Sequence, residues 1–394
     1  MYILMIARGF PSRENPQWGC FEKDQAEALA EYGHKVVVMS VDARFRKHRG
    51  SIGLHQFTFN GVYYYNYVML PGIFYTKLLG TDFFRRKIFW HYSDKLYKRI
   101  VSENGKPDII YSHFFDNTYI GVLLKNKYQL PLVGIEHLAR FNEEHLTRDT
   151  EVGATFAFAG VDSLIAVSKS LANNLEKRCG RRCEVVHNMY GKEFVNNLIE
   201  NNRSDSIIFV STASLVYRKG FDVLIKAFAM TKLPVSSWRL KIIGWGEEKQ
   251  NLEQLVNENN LQENISFLGR MGKLEIANEL RNSNVYVLPS RNENFSVSIL
   301  EGLAMGLPVL ATDCGGIHEC IDENNGIIVP VDDVLAMSDA IKEIVRSYSK
   351  FDRIQIAKTC ESRFSPKAIA AKLTEVLDRV VILKTNEFQN FYAS

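Results

Sequence analysis

The stretch from Val285 to Thr312 constrains this chain more than any other. Val285 to Leu288 is a short apolar run that suits a buried strand, and Pro289 and Ser290 stop it. Ser296 stands where it can cap a helix running from Val297 to about Met305, and Gly306 where a left-handed residue ends one. Pro308 to Thr312 reads as the next buried strand. Strand, loop, helix and strand make one βαβ unit, and its loop lies where open parallel sheets bind ligands. Two carboxylates stand there, Glu293 in the loop and Glu301 within the helix. Carboxylates bind diols, and the unpaired N–H groups of a helix start bind phosphate. The pair therefore suits a ligand carrying both. The plain alternative is an exposed loop glutamate and a helix-face glutamate.

The rest of the chain repeats the βα pattern twice. Tyr2 to Ala7 is continuously apolar, as in a central parallel strand, and reads as that rather than as a signal peptide. A helix pattern over Phe21–Tyr32 ends at Gly33, and Lys35 to Val41 is a second strand. The first turn, Gly9 to Gly19, lacks the G-x-G-x-x-G of a dinucleotide fold, which argues against a dehydrogenase. Residues 62–68 suit a strand. Asp108–His113 and Leu132–His137 are two more, each ending in histidine, and such an end faces the ligand side of a parallel sheet. Ser163 to Ser168 follows, with Ser168 capping a helix. The polar, weakly patterned residues 190–205 read as a linker. A second series opens with a strand over 207–213, a loop, a helix beginning at Lys219-Gly220, then strands over 239–244 and 265–269. Helical segments near 333–347 and 350–361 precede a last one from Lys367.

Bulk numbers set the frame. A chain of 394 residues exceeds what one core usually supports, so two domains are expected. A net charge of +3 is too small to imply nucleic acid. Residues 1–200 carry five more basic than acidic side chains, which is compatible with an anionic acceptor or a membrane surface. Within 74–99, aromatics mix with Arg85, Arg86, Lys87 and further bases. That reads either as a membrane-surface or lipid-linked acceptor patch or as an ordinary helix with its aromatics in the core. No apolar run approaches the ~20 residues of a spanning helix. The six cysteines form no C-x-x-C pair or metal-type cluster, which fits reduced thiols in a cytoplasm.

The spacing Glu293-x7-Glu301, followed by Gly306-Leu-Pro308-Val and by Gly315-Gly316 before Glu319, resembles the donor-site motif of retaining glycosyltransferases of family 4. The likeness extends faintly from about Tyr2 to about Val381. It implies an α/β GT-B fold, with two Rossmann-like domains facing across a cleft. The first is 1–195, joined by the helix 366–394 crossing back onto it; the second, nucleotide-sugar-binding domain is 204–365.

The resemblance also implies a retaining, metal-independent transfer from a nucleotide-diphosphate sugar to a saccharide or lipid-linked acceptor, in the setting of cell-surface polysaccharide assembly. No cofactor is expected, and localisation would be cytoplasmic or peripheral to a membrane's inner face. His137 and Glu293 would serve the reacting centre and the donor-sugar hydroxyls, and Glu301 the ribose. Lys219, Arg218 and the helix start at Phe295, Ser296 and Val297 would hold the diphosphate, with Gly19 approaching it and Gly269 passing the base. His113 would support His137, and Asn188 would be a cleft residue. Ser214 stands where many members carry arginine. That departure keeps a second expectation open, a protein that grips a sugar nucleotide without turning it over.

Overall fold

The computed structural model describes residues 1–11, 18–43, 51–69, 82–143, 145–195 and 206–393. Part of the linker stretch, 196–205, lies outside these residues, as do residues 74–81 and the side chains of Phe83 and Phe84. The chain divides into two compact units. Unit 1 is Met1–Val186 with Ile369–Ser394, and unit 2 is His187–Ala368. The passage into unit 2 therefore comes at Val186–His187, ahead of the polar stretch 190–205.

Unit 1 holds an eight-stranded sheet. Its strands are β1 (Tyr2–Ile6), β2 (Lys35–Asp42), β3 (Gly53–Phe59), β4 (Val62–Val68), β5 (Ile109–His113), β6 (Leu132–Glu136), β7 (Ser163–Ala166) and β8 (Glu184–Val185). Their order is β3-β4-β2-β1-β5-β6-β7-β8, parallel throughout except for the β3–β4 pair. Helices α1 (Cys20–Glu31), α2 (Asp82–Asn104), α3 (Phe115–Tyr128), α4 (Arg148–Gly160) and α5 (Lys169–Cys179) cross between strands. Every side chain of β1, β5 and β6 is buried, which is why these strands read as unbroken rather than alternating apolar runs.

The hairpin β3–β4 turns on Asn60-Gly61, both in the left-handed region at φ 46° and 78°. Asn-Gly is the strongest short hairpin signal, and reading 62–68 alone as a strand passed over it. Ser168 caps α5 as expected, its Oγ accepting from Leu171 N at 3.1 Å.

Unit 2 holds a parallel six-stranded sheet of β9 (Ile207–Thr212), β10 (Trp238–Ile243), β11 (Ile265–Gly269), β12 (Val285–Leu288), β13 (Val309–Thr312) and β14 (Gly326–Val329), ordered β11-β10-β9-β12-β13-β14. Its helices are α6 (Phe221–Thr231), α7 (Lys249–Glu258), α8 (Lys273–Arg281), α9 (Val297–Ala304), α10 (Val334–Ser347) and α11 (Arg353–Phe364). The core joins Phe209, Phe228, Trp238, Val287, Leu310 and Ile341.

A last helix, α12 (Pro366–Ala393), belongs to unit 1 from Ile369 onward. There it buries Ile369, Ala370, Leu373 and Leu377, and Thr374 Oγ1 lies 2.8 Å from His34 Nε2.

Candidate functional site

In unit 2 the chemistry-bearing side chains gather at the carboxyl ends of β9 and β12. After β9 the chain makes one short helical turn, Tyr217–Lys219, and Gly220 then starts α6. Lys219 therefore sits in the turn before the helix and does not open the helix itself. Gly220 takes φ +66°, and a Cβ there would stand 1.9 Å from the carbonyl oxygen of Pro289. Only glycine lets this turn lie against the end of β12.

The two loops are then sewn together. Arg291 N donates to Arg218 O at 2.8 Å, and Arg218 Nη1 donates to Asn292 O at 2.7 Å. Lys219 Nζ pairs with Glu293 Oε1, which also accepts from Ser290 Oγ at 2.8 Å. Arg218 Nη1 stands 3.9 Å from Glu293 Oε2. Glu293 and Lys219, expected on the donor-sugar hydroxyls and the diphosphate respectively, thus form a largely buried ion pair.

Behind Glu293, Gly315 approaches so closely that a Cβ would lie 2.0 Å from the Glu293 carbonyl, and Gly316 N donates to Asn294 O at 2.7 Å. This is the physical role of the Gly315-Gly316 pair: it packs backbone on backbone under the loop. Burial and the nearby Glu293 carboxylate push the Cys314 thiol up to about 11, so it stays protonated and inert.

Phe295 is buried against His187 and Phe364, at centroid distances of 4.5 and 5.5 Å, and its carbonyl accepts from Asn188 Nδ2 at 2.9 Å. Ser296 stands at the N-cap of α9 with extended backbone, but its side chain makes no capping bond; its Oγ lies 3.0 Å from Ser298 Oγ. The expected side-chain cap is corrected on this point. Val297 is the first helical residue, and Glu301 lies one turn further along α9. Gly269 closes β11 at φ +76°, its carbonyl accepting from Gly244 N.

Arg291 carried no expected role, yet it organises this cluster. Its two Nη atoms each donate to Asp222 at 2.9 Å, and its Nε donates to Asp332 Oδ1 at 2.7 Å. Its guanidinium lies 3.9 Å over the Tyr217 ring. Burial alone would raise the Asp222 carboxyl, but the guanidinium outweighs it and holds the group below its ordinary range. One side chain thereby ties the β9–α6 turn, the β12–α9 loop and the β14–α10 loop. Its partners lie 69 and 41 residues away, a separation no local pattern reveals.

In unit 1 the corresponding ends of β1, β5 and β6 carry Arg8, His113 and His137. Arg8 forks onto Glu22, at 2.8 and 3.1 Å, and lies 3.8 Å over the Phe114 ring. Glu136 is fully buried and accepts from the N–H groups of Phe115, His137 and Leu138 at 2.9, 2.7 and 2.8 Å. Burial pushes its carboxyl up to about 7 against the pull of those donors. His137 Nε2 lies 3.2 Å from His113 Nδ1, so the two strand-end histidines do meet. Gly19 caps α1 at φ +74°, close against the Gly9 carbonyl.

Four bases of α2 are engaged within the unit. Arg85 pairs with Asp116 at 3.1 Å, Arg86 donates to Asp149 O at 3.0 Å, and Lys98 and Arg99 pair along the helix with Asp94 and Glu103. Among the described residues, no helix is long and apolar enough to cross a membrane.

Two Rossmann-like α/β units built on largely parallel sheets define the GT-B class. The comparisons agree. The family description "Glycosyl transferases group 1" matches residues 196–359 and "Glycosyltransferase Family 4" residues 23–191. An uncharacterized glycosyltransferase of Methanocaldococcus jannaschii is 31% identical over 64% of this chain and 69% of its own. The amylovoran biosynthesis glycosyltransferase AmsK of Erwinia amylovora is 24% identical over 73% and 75%.

Among solved structures, sucrose-phosphate synthase of Thermosynechococcus elongatus superposes over 100% of both chains with a TM-score of 0.74 at 19% identity. Anabaena HepE in complex with UDP superposes over 96% of this chain and 99% of its own, with a TM-score of 0.71 at 16% identity. The chain belongs to glycosyltransferase family 4, the group 1 glycosyltransferases.

Proposed function

We propose that the protein transfers a hexosyl unit from a nucleotide-diphosphate sugar to a saccharide or lipid-linked acceptor with retention of configuration and without a metal, in polysaccharide assembly. The observation that carries the reading is the Lys219–Glu293 pair, with Arg218 beside it, held at the carboxyl ends of β9 and β12 ahead of α9. Leaving-group departure builds negative charge on the diphosphate, and a fixed ammonium meets that charge without reorganising. Glu293, already oriented by Lys219 and Ser290, offers its carboxylate to sugar hydroxyls; Glu301 takes the ribose. Phe295, Ser296 and Val297 form the helix start that faces phosphate, Gly19 leaves room for it, and Gly269 passes the base. His137 lines the reacting centre. UDP and UDP-glucose in the HepE structures, and the polysaccharide named for AmsK, support the donor class and the setting.

The test is a panel of nucleotide-diphosphate sugars, read first by thermal shift and then by donor hydrolysis and transfer with a chelator present. A donor that stabilises the protein and is then consumed, yielding product of unchanged anomeric configuration, is the expected outcome. Inversion of the product or abolition by the chelator overturns the corresponding part. The second reading, binding without turnover, is favoured by Ser214 in place of a phosphate-binding arginine. Stabilisation without consumption of any donor selects it.

A further inference from the structure

His113 ends β5 and is fully enclosed, and its surroundings give it a task. His137 Nε2 stands 3.2 Å from His113 Nδ1, the ring planes lie within 7° of each other, and the centroids are 5.3 Å apart. That centroid separation is close to the nitrogen–nitrogen distance plus one ring radius at either side. The imidazoles therefore meet edge to edge in nearly one plane, and the contact is a hydrogen bond within that plane, not a face-to-face stack. Such a contact takes one proton: two N–H groups would collide, and two lone pairs would repel.

At the far edge of His113, Nε2 is buried with no hydrogen-bond partner. Burial, with the Arg8 guanidinium nearby, holds His113 well below its ordinary titration range, so the ring is neutral and carries a single proton. On Nε2 that proton would be an orphaned buried donor, the rarer and costlier kind of unsatisfied group. On Nδ1 it completes the bond to His137.

The backbone around the pair is pinned. His137 N and Leu138 N both donate to Glu136, and Phe114 is held at φ 67°, ψ 147°, a region bulky residues avoid. The Phe114 ring packs 4.9 Å from His137.

We infer that His113 is a positioning residue that donates from Nδ1 to His137 Nε2 and so holds His137 in its Nδ1–H tautomer. His137 Nε2, as the acceptor of that bond, then takes no proton from the substrate. This deepens the proposed function and rests on it for the consequence, though the tautomer itself can be read without any reaction.

The full chain labelled with ¹⁵N-histidine is examined by long-range ¹H–¹⁵N correlation at about pH 8, where an ordinary imidazole is neutral. His137 is identified by the loss of its signals in His137→Gln. Its proton is expected on Nδ1. His113→Phe, which fills the space without a donor, should release the tautomer and lower kcat about a hundredfold, the range for losing one preorganised hydrogen bond. Donor KM in that variant should stay within about twofold. His113→Asn, which keeps an N–H near the same place, should restore both the tautomer and most of the lost rate.

An Nε2–H tautomer in the wild type overturns the inference, as does a tautomer indifferent to His113→Phe. If His113→Phe does not fold, the wild-type tautomer decides alone. A correct tautomer in a protein that consumes no nucleotide sugar refutes the functional reading and leaves the inference standing.

Discussion

Lys219 shows how one side chain could serve both stability and chemistry. Its ammonium neutralises a largely buried carboxylate, and in the proposed function it also meets the charge that develops on the diphosphate. Lys219→Ala should lower turnover about a hundredfold or more, the range for removing one stabilising donor, and lower substrate affinity far less. It also removes the nearest cation from Glu293, so its melting temperature should fall, and rates must be compared at equal folded fraction. Transfer within threefold of wild type, with Arg218 intact, would sink the clamp. Glu301 makes a second probe, one turn into α9. A charge-assisted bond from a carboxylate to a ribose hydroxyl is worth roughly 1.5–3 kcal/mol. Glu301→Gln should weaken nucleotide binding by that amount in calorimetry with the fold intact, and unchanged affinity rejects the assignment. Both positions could be picked out in the sequence because the patterns around them are local. That Lys219 pairs with Glu293 could not, because the two stand 74 residues apart.

At the scale of elements, the site is three loops held by Arg291. Its planar fork reaches Asp222 with two N–H groups while Nε holds Asp332, a geometry an ammonium cannot copy. Arg291→Ala should cost about 2 kcal/mol of stability in urea unfolding. It should also raise donor KM and lower kcat together, since it frees the turn carrying Arg218 and Lys219. Arg291→Lys should recover little of either. A stable variant with unaltered kinetics would show that the β9–α6 turn holds its shape unaided. The strands of the βαβ unit were predictable from apolar runs bounded by proline and glycine. The hairpin at Asn60-Gly61 left a signal as well, although β3 is largely exposed and gives no apolar run. The start of α6 was misplaced by two residues because the short turn Tyr217–Lys219 is specified by contact with Pro289, not by propensity.

At the scale of the molecule, two buried groups in unit 1 titrate with opposite sign. Glu136 has its folded value raised from 4.5 to about 7, so the folded state holds the extra proton in that window. Its contribution is present below the unfolded value and is lost as pH rises toward about 7. His113 is depressed below 6.5, so its contribution is present above that value and is lost as pH falls. The two slopes, each at most about 1.4 kcal/mol per pH unit, oppose one another between these limits. Urea unfolding across that range should therefore show Glu136→Gln gaining stability with rising pH relative to wild type, and His113→Asn losing it. Parallel profiles for all three proteins would show that neither group differs between folded and unfolded chains. The sequence by itself determined the two βα series, the parallel buried strands, the family and the residue types at the strand ends, because apolar periodicity, turn chemistry and a short motif are local properties. Only the tertiary structure decided which charges neutralise one another, that Arg291 binds three loops, that Ser296 does not cap its helix, and that two histidines from neighbouring strands meet at 3.2 Å. Those outcomes depend on distances between residues far apart in the chain, and only packing sets them.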